Sequence, residues 1–414
     1  MRSVLFAGAC AAFCLTAAAV QTSSSAVFIV GPRGSAATPS IAAEGRRVVV
    51  AFSESASSGA TDVYAAVSDD GGRSFASPVR VNDVAGEARV GGEQPPRVAV
   101  HDRRIVVVWT AKGQKGTRLL QARSDDGGRT FSRAAAVPGS EAAGNRGWEN
   151  ANARYAVWLD HRELAQDETT MTAMHHQHES SGAKPDGVAM AQKSKLFFGS
   201  LDGSIAAHAI TGGVCYCCKT ALAESGDGSS IFLAWRHVYP GNFRDIAFTM
   251  SKDGGRSFAA PIRVSEDKWM LEGCPDDGPA IAVDVQHRVH LVWPTLIADA
   301  TSGEQSIGLF YATSADGHAF TPRERIPTQG IAHHPQITIG SDGLPLIAWD
   351  ESDQGARRIL VGRRRTGADG ARFVCEAVGD AGVYPALTAS DGAAVAAWTA
   401  RHGDSAVAVR RLEH

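Results

Sequence analysis

Seven cysteines in 414 residues are too few to staple a chain of this size. Its stability must come from a packed core, not from a disulfide framework. Long apolar runs are also missing after the first twenty residues, so no later segment has the length of a membrane-crossing helix. Charge of one sign is missing as well: 41 Lys and Arg stand against 44 Asp and Glu, interspersed, for a net charge of −3. That balance leaves no basic footprint for nucleic acid and no cationic stripe for a membrane surface.

What is present begins at the N-terminus. Met1 and Arg2 lead into an apolar, Ala-rich stretch from Val4 to Val20, with Ala17-Ala18-Ala19 as a small-residue cleavage site. Residues 1–19 therefore read as a secretory signal peptide, and 20–414 as a mature soluble chain, periplasmic or secreted. Phe13 before Cys14 does not fit a lipoprotein pattern, and Cys10 and Cys14 leave with the peptide. Five cysteines remain, an odd number that excludes complete intramolecular pairing.

A repeat organises the rest. Ser68-Asp69-Asp70-Gly71-Gly72-Arg73-Ser74-Phe75 returns as Ser124-Asp125-Asp126-Gly127-Gly128-Arg129-Thr130-Phe131 and as Ser251-Lys252-Asp253-Gly254-Gly255-Arg256-Ser257-Phe258. Shorter copies occur at Ser314–Phe320, Ser200–Gly203 and Ala368–Phe373. The carboxylate accepts backbone N–H groups in a tight turn, glycine supplies positive φ, and the aromatic packs inward. These copies resemble the Asp-box (BNR) repeat of sialidase-like β-propellers. The resemblance implies an all-β ring of blades and says nothing by itself about catalysis.

A second pattern runs in phase with the first. A Pro or polar residue opens one strand, and the next apolar strand ends in Trp or Phe. Pro39–Phe52, Pro96–Trp109, Trp148–Trp158, Lys219–Trp235, Pro279–Trp293, Pro335–Trp349 and Pro385–Trp398 are the copies. A repeat of about 50 residues indicates a propeller. The expected fold is all-β, one seven-bladed propeller, with six blades if the third or seventh unit is not a full blade. The last unit lacks a fourth strand, and Ala26–Val30 is a strand without its own blade, so the N-terminal strand closes the ring.

Chemistry gathers in the loops that enter the first strand of each blade, which share one mouth of the channel. Cys215-Tyr216-Cys217-Cys218 precedes Lys219, Cys274 precedes Asp276 and Asp277, and His333-His334 precedes Pro335. Glu93, Arg146, Glu149 and Tyr384 hold the corresponding places in other blades. The one long insertion, about 163–195, carries Met171, Met174, His175, His176 and His178, then Met190, and opens on the same face. Three of the six methionines and three of the fourteen histidines lie there. Asp160-His161-Arg162 and Arg236-His237 point the same way.

Thiolates and thioethers together select Cu(I), while Zn suits the Cys and His part. The Cys-x-Cys-Cys motif resembles one in a small periplasmic copper-resistance family. The expected function is therefore an exported copper-binding propeller for resistance, storage or delivery, partnered by a copper chaperone or cuproenzyme. Cys215, Cys217 and Cys218 are the core ligands, with Cys274, His333, His334 and the Met/His insertion as further candidates; zinc is the alternative ion. The plainer reading of the cysteines is an oxidised pair, with Cys274 a candidate partner, and a spare thiol. A dithiol redox role or a copper redox enzyme is a further variant.

The sialidase resemblance implies a rival: exo-sialidase chemistry with Tyr384 as nucleophile, Glu149 activating it, and Arg146, Arg162 and Arg236 clamping a carboxylate. Against it, Arg33 is followed by Gly34 and not by the family's Ile-Pro, and Tyr384 precedes a proline that most blades share. A protein-interaction propeller is the third class.

Overall fold

The structure, a computed structural model, describes residues 25–113, 116–141, 146–164, 187–271, 277–298, 305–367, 370–402 and 404–413. Seven four-stranded antiparallel sheets succeed one another as the blades of a ring. The seventh is built from Gly382–Ser390, Ala393–His402 and Asp404–Leu412, completed by Val27–Ile29. The register Val27↔Val409 and Ile29↔Val407 ties the chain's beginning to its end. The seven-bladed reading with N-terminal closure thus holds.

The second strand of each blade is buried on both faces because neighbouring blades sandwich it. Arg47–Ser55 is interior from Val48 to Glu54. Trp109, Trp158, Trp235, Trp293 and Trp349 are fully buried and Trp398 nearly so, each filling the gap between sheets. Strand periodicity puts residue i+2 on the same face, and the sequence uses this to satisfy the indole N–H. Trp158 donates to Asp160, Trp235 to His237 Nδ1 and Trp349 to Glu351.

At one end of the ring the Asp-box turns cap the outer hairpins. Asp70 accepts from the backbone N–H groups of Arg73 and Ser74 and from the hydroxyls of Ser68 and Ser74. The second glycine has two tasks. Gly128 has φ 91°, and a Cβ there would fall 2.5 Å from Val67 of the preceding blade. Only glycine lets the turn nest against its neighbour. The sixth blade departs from the pattern: Ala356–Gly367 and Gly370–Asp380 meet at Gly367↔Gly370 as an extended hairpin.

At the other end the first strands carry a shared irregularity. Thr38, Trp148, His334 and Tyr384 all have left-handed φ, between 50° and 55°. Each sits where its strand slips register against the second strand, at Ala37/Ser40, Gly147/Asn150, His333/Gln336 and Val383/Ala386. Bulges of this kind re-aim side chains, and left-handed non-glycine residues mark strain held by the surrounding fold. His333-His334 and Tyr384 therefore lie inside strands Ile331–Ile339 and Gly382–Ser390 and not ahead of them as the sequence pattern places them. The insertion ends in a short helix, Gly187–Lys193, that leads into strand Lys195–Ser200.

Candidate metal centre and channel mouth

Cys215 enters its place by backbone pairing. Its N–H donates to the Arg236 carbonyl, Val214 bridges to His237, and the Val238 N–H donates to Gly213. The loop thus extends blade 4 beyond its first strand, Ala221–Glu224, and turns its side chains into the core shared by blades 3 and 4. Cys215, Cys217 and Cys218 are 0%, 5% and 2% exposed. This corrects the expectation that the thiols open onto the channel. Cysteine packs as a small hydrophobe, and Trp148, Trp235 and Val238 supply the apolar surroundings.

The three sulfurs form a compact group, all within 4.8 Å of one another. Cys218 Sγ donates to Cys215 Sγ at 3.3 Å, and Cys215 and Cys217 Sγ lie 3.9 Å apart. Cys217, however, is in a disulfide. A disulfide sulfur is not a thiolate, so the expected three-thiolate site is, in this state, a two-thiol site. The plainer sequence reading of an oxidised pair holds to that extent, and Cys215 and Cys218 remain thiols.

Two guanidinium groups flank the pair. Arg244 Nη1 donates to Cys215 Sγ at 3.1 Å. Arg236 is fully buried and gives its N–H groups to the carbonyls of Asp277, Arg244 and Pro294. The hydrogen bond from Cys218 draws the Cys215 thiol down to about 6; burial opposes this, and the charges of Arg244 and Arg236 support it. Cys375, half-buried on blade 6, moves the other way, pushed by burial up to about 11.

The channel mouth is a separate site next door. A cavity of about 230 Å³ is lined by Ser40, Glu93, Asn150, Lys219, His334 and Tyr384, one residue from each of six blades. His334 Nδ1 meets Asp350 at 2.5 Å, its Nε2 contacts Glu93, and its ring lies 4.6 Å from that of Tyr384. Burial works against its charge, but Glu93 and Asp350 outweigh it and hold His334 at about 10. An imidazolium with both nitrogens engaged is not a metal ligand, which corrects the assignment of His334. His333 faces Asp277 at 3.8 Å. Lys219 Nζ lies 3.6 Å from Asp277 and donates to the Pro335 carbonyl. Burial raises the Asp277 carboxyl, but Lys219, His333 and His334 bring it well below the usual range.

Among the described side chains the rival catalytic set is not brought together. Arg236 spends its donors on carbonyls, and Arg162 pairs with Asp160 at 2.7 Å. Glu149 is buried and accepts from Thr110, with burial raising its carboxyl. Arg146 pairs through its backbone with Asp160. Tyr384 does line the cavity, where burial raises its phenol. Cys274, Met171, Met174, His175, His176 and His178 lie outside the described residues.

Arg244 was missed as a site member, and His161, expected on the mouth face, is interior. Arg244 is the second residue of the strand Phe243–Ser251, and its charge at a buried position of that strand was the available signal. His161 is 2% exposed, neither ring nitrogen has a partner among the described residues, and its ring lies 5.8 Å from that of Trp148. Burial lowers it to about 4.

No family model matches the chain. No curated protein matches it either. Among solved structures it is similar to a protein of unknown function from Dyadobacter fermentans, at 15% identity and a TM-score of 0.52, over 94% of this chain and 98% of that one. It is also similar to a PL25 ulvan lyase, a polysaccharide lyase, at 10% identity and a TM-score of 0.56, over 94% and 96% of the two chains. An intramolecular trans-sialidase from Ruminococcus gnavus aligns at 11% identity and a TM-score of 0.46, over 94% of each. At such identities the first two likenesses establish the fold alone.

Proposed function

We propose that this protein binds a soft metal ion, Cu(I), between Cys215 and Cys218. The observation that carries the reading is a pair of buried thiol sulfurs 3.3 Å apart, with Arg244 hydrogen-bonded to one of them. Two thiolates satisfy Cu(I), which accepts low coordination numbers, and the resulting complex is anionic. Arg244 and Arg236 offset that charge in the interior. Zn requires about four ligands. Among the described residues no imidazole or carboxylate joins the sulfur group. Thiolate softness favours Cu(I) on the same grounds. The sulfurs must separate slightly on loading, because they now share a proton at hydrogen-bond distance.

The proposal extends to an exported protein of copper resistance, storage or delivery, with a copper chaperone or cuproenzyme as partner. The N-terminal apolar segment and the Met/His insertion support that extension. The test is anaerobic Cu(I) titration against a chromophoric chelator. One Cu(I) per chain is expected, with affinity reduced at least about 100-fold in Cys215→Ser/Cys218→Ser and unchanged in Cys375→Ser. Unchanged affinity in the double variant, with a native circular-dichroism spectrum, sinks the assignment.

A second reading, glycoside hydrolysis, is favoured by Tyr384 lining the cavity beside Glu93 and His334. It lacks an arginine clamp among the described residues. Turnover of a fluorogenic sialoside that is abolished by Tyr384→Phe would reverse the ranking.

A further inference from the structure

The outer strands of six blades are two to four residues long, as in Val79–Arg80 and His208–Thr211. Strands that short offer little unpaired backbone to another chain. Blade 6 differs. Its outer strand, Gly370–Asp380, runs for 11 residues against Ala356–Gly367, and its far edge pairs with no strand among the described residues. We propose that this edge pairs with the same edge of a second copy of the chain, antiparallel and centred on Val374, to form a two-fold symmetric dimer. The proposal is independent of the metal reading.

The side chains along the strand carry the argument. Every second residue shares a face. Phe373 and Cys375 turn toward blade 5, where the Phe373 ring meets that of Tyr311 at 5.2 Å. Arg372, Val374 and Glu376 turn the other way and are exposed, Val374 by 51% and the Glu376 side chain by 61%. A lone exposed valine is ordinary. The charges around this one are not, because a base stands two residues before it and an acid two residues after it. In an antiparallel pair centred on Val374, Arg372 faces the partner's Glu376, and the symmetry repeats the contact. Directly opposed side chains share a face about 5 Å apart, within reach of an ion pair.

Charges that guard an edge against association do so by repelling a second copy. Opposite signs at equal distances from a centre attract one. Within a single copy these charges are poorly served. Arg372 stands opposite Arg365, a like charge across the hairpin, and Glu376 reaches Arg363 at 4.0 Å. The partner's Glu376 beside Arg372 offsets the like-charge pair. The two-fold axis stands perpendicular to the sheet, so the two blade-6 sheets become one and the second ring is inverted. The channel mouths then open in opposite directions. The contact is isologous and uses up the edge, so association stops at two copies. An edge-to-edge contact of this length is small, and a dissociation constant of about 1–100 μM is expected.

The test is sedimentation equilibrium of the purified protein in chelator, from about 1 μM to about 500 μM, a range that brackets the expected constant. A monomer–dimer equilibrium is expected. Glu376→Arg makes both facing pairs like-charged and should weaken the dimer at least about tenfold, as should Arg372→Glu. An equimolar mixture of the two single variants should associate as strongly as wild type, because each facing pair is again opposite in sign. Circular dichroism checks that both variants keep the native fold, and recovery in the mixture shows it independently. Wild-type protein that stays monomeric over the whole range overturns the proposal. So does a dimer that Glu376→Arg leaves unchanged, the result expected if the N-terminal apolar segment or another face drives association. A mixture that associates no better than its components overturns the register centred on Val374.

Discussion

At the Asp-box end, Asp70 takes its partners from Ser68, Arg73 and Ser74, all within four residues. At the mouth, Asp277 answers to Lys219 and His333, and His334 to Glu93, all carried by separate blades, and to Asp350 on the next strand of its own blade. Both ends anchor carboxylates, largely exposed ones at the turns and buried ones at the mouth. The first does so with a device that folds wherever its sequence occurs. The second works only once the ring has closed, and it concentrates left-handed φ at His334 and Tyr384. Damage at the turns should therefore stay local, whereas damage at the mouth should spread between blades.

The strongest way to sharpen that contrast is Arg236, which joins blade 4 to blade 5 through the carbonyls of Asp277 and Pro294 and stacks over Trp269. Arg236→Leu leaves three buried acceptors short of a donor. A loss of about 4 kcal/mol is expected in urea unfolding, accompanied by lost Cu(I) binding. A loss below about 1 kcal/mol would mean that the mouth does not couple the blades.

His334 tests the same end through pH. Its folded value of about 10 lies above the ordinary 6.5, so its contribution is complete below pH 6.5 and disappears as pH rises through 10. Stability should fall by about 5 kcal/mol across that window. His334→Gln should flatten the profile over the same range, as read by denaturant midpoints at each pH. An equally steep profile in the variant would assign the effect elsewhere.

Asp70 tests the opposite end. Burial raises its carboxyl, but the Ser74, Ser68 and backbone hydrogen bonds outweigh it and hold Asp70 well below the usual range. Its contribution is present above the ordinary carboxylate value and is lost as pH falls through the folded one. Asp70→Ala should cost about 2 kcal/mol at neutral pH and leave Cu(I) affinity unchanged. A change in metal binding would break the separation between the two ends.

The same contrast explains what the chain disclosed before its structure was known. Asp-box turns and second-strand tryptophans were legible because each is a local device with a fixed spacing, and seven blades followed from counting them. The meeting of Glu93, Lys219, His334 and Tyr384 at one mouth was legible from blade order, because the entries to the first strands share one face. The inward turn of Cys215–Cys218 was not, because the backbone pairing with Arg236–Val238 decides it, and no spacing encodes that contact. Nor was the charge of His334, which depends on Glu93 lying across the channel, some 240 residues away in sequence, where chain order gives no cue to register.

The smallest expected effect lies within the turns themselves. Asp253 accepts from the Ser257 N–H and from the hydroxyls of Ser251 and Ser257. In the shortened fifth-blade copy, Asp316 accepts from the His318 N–H at 2.8 Å and only weakly from Ser314, at 3.4 Å. If the turn acts through its local hydrogen bonds, the penalty should follow their number and length. Asp253→Ala should then lower the denaturant midpoint by several times as much as Asp316→Ala does. Gly317 packs against Met250 and Gly255 against Phe198, so both copies still press on the preceding blade. Equal penalties would therefore show that blade-to-blade packing, and not the carboxylate, is what the repeat contributes.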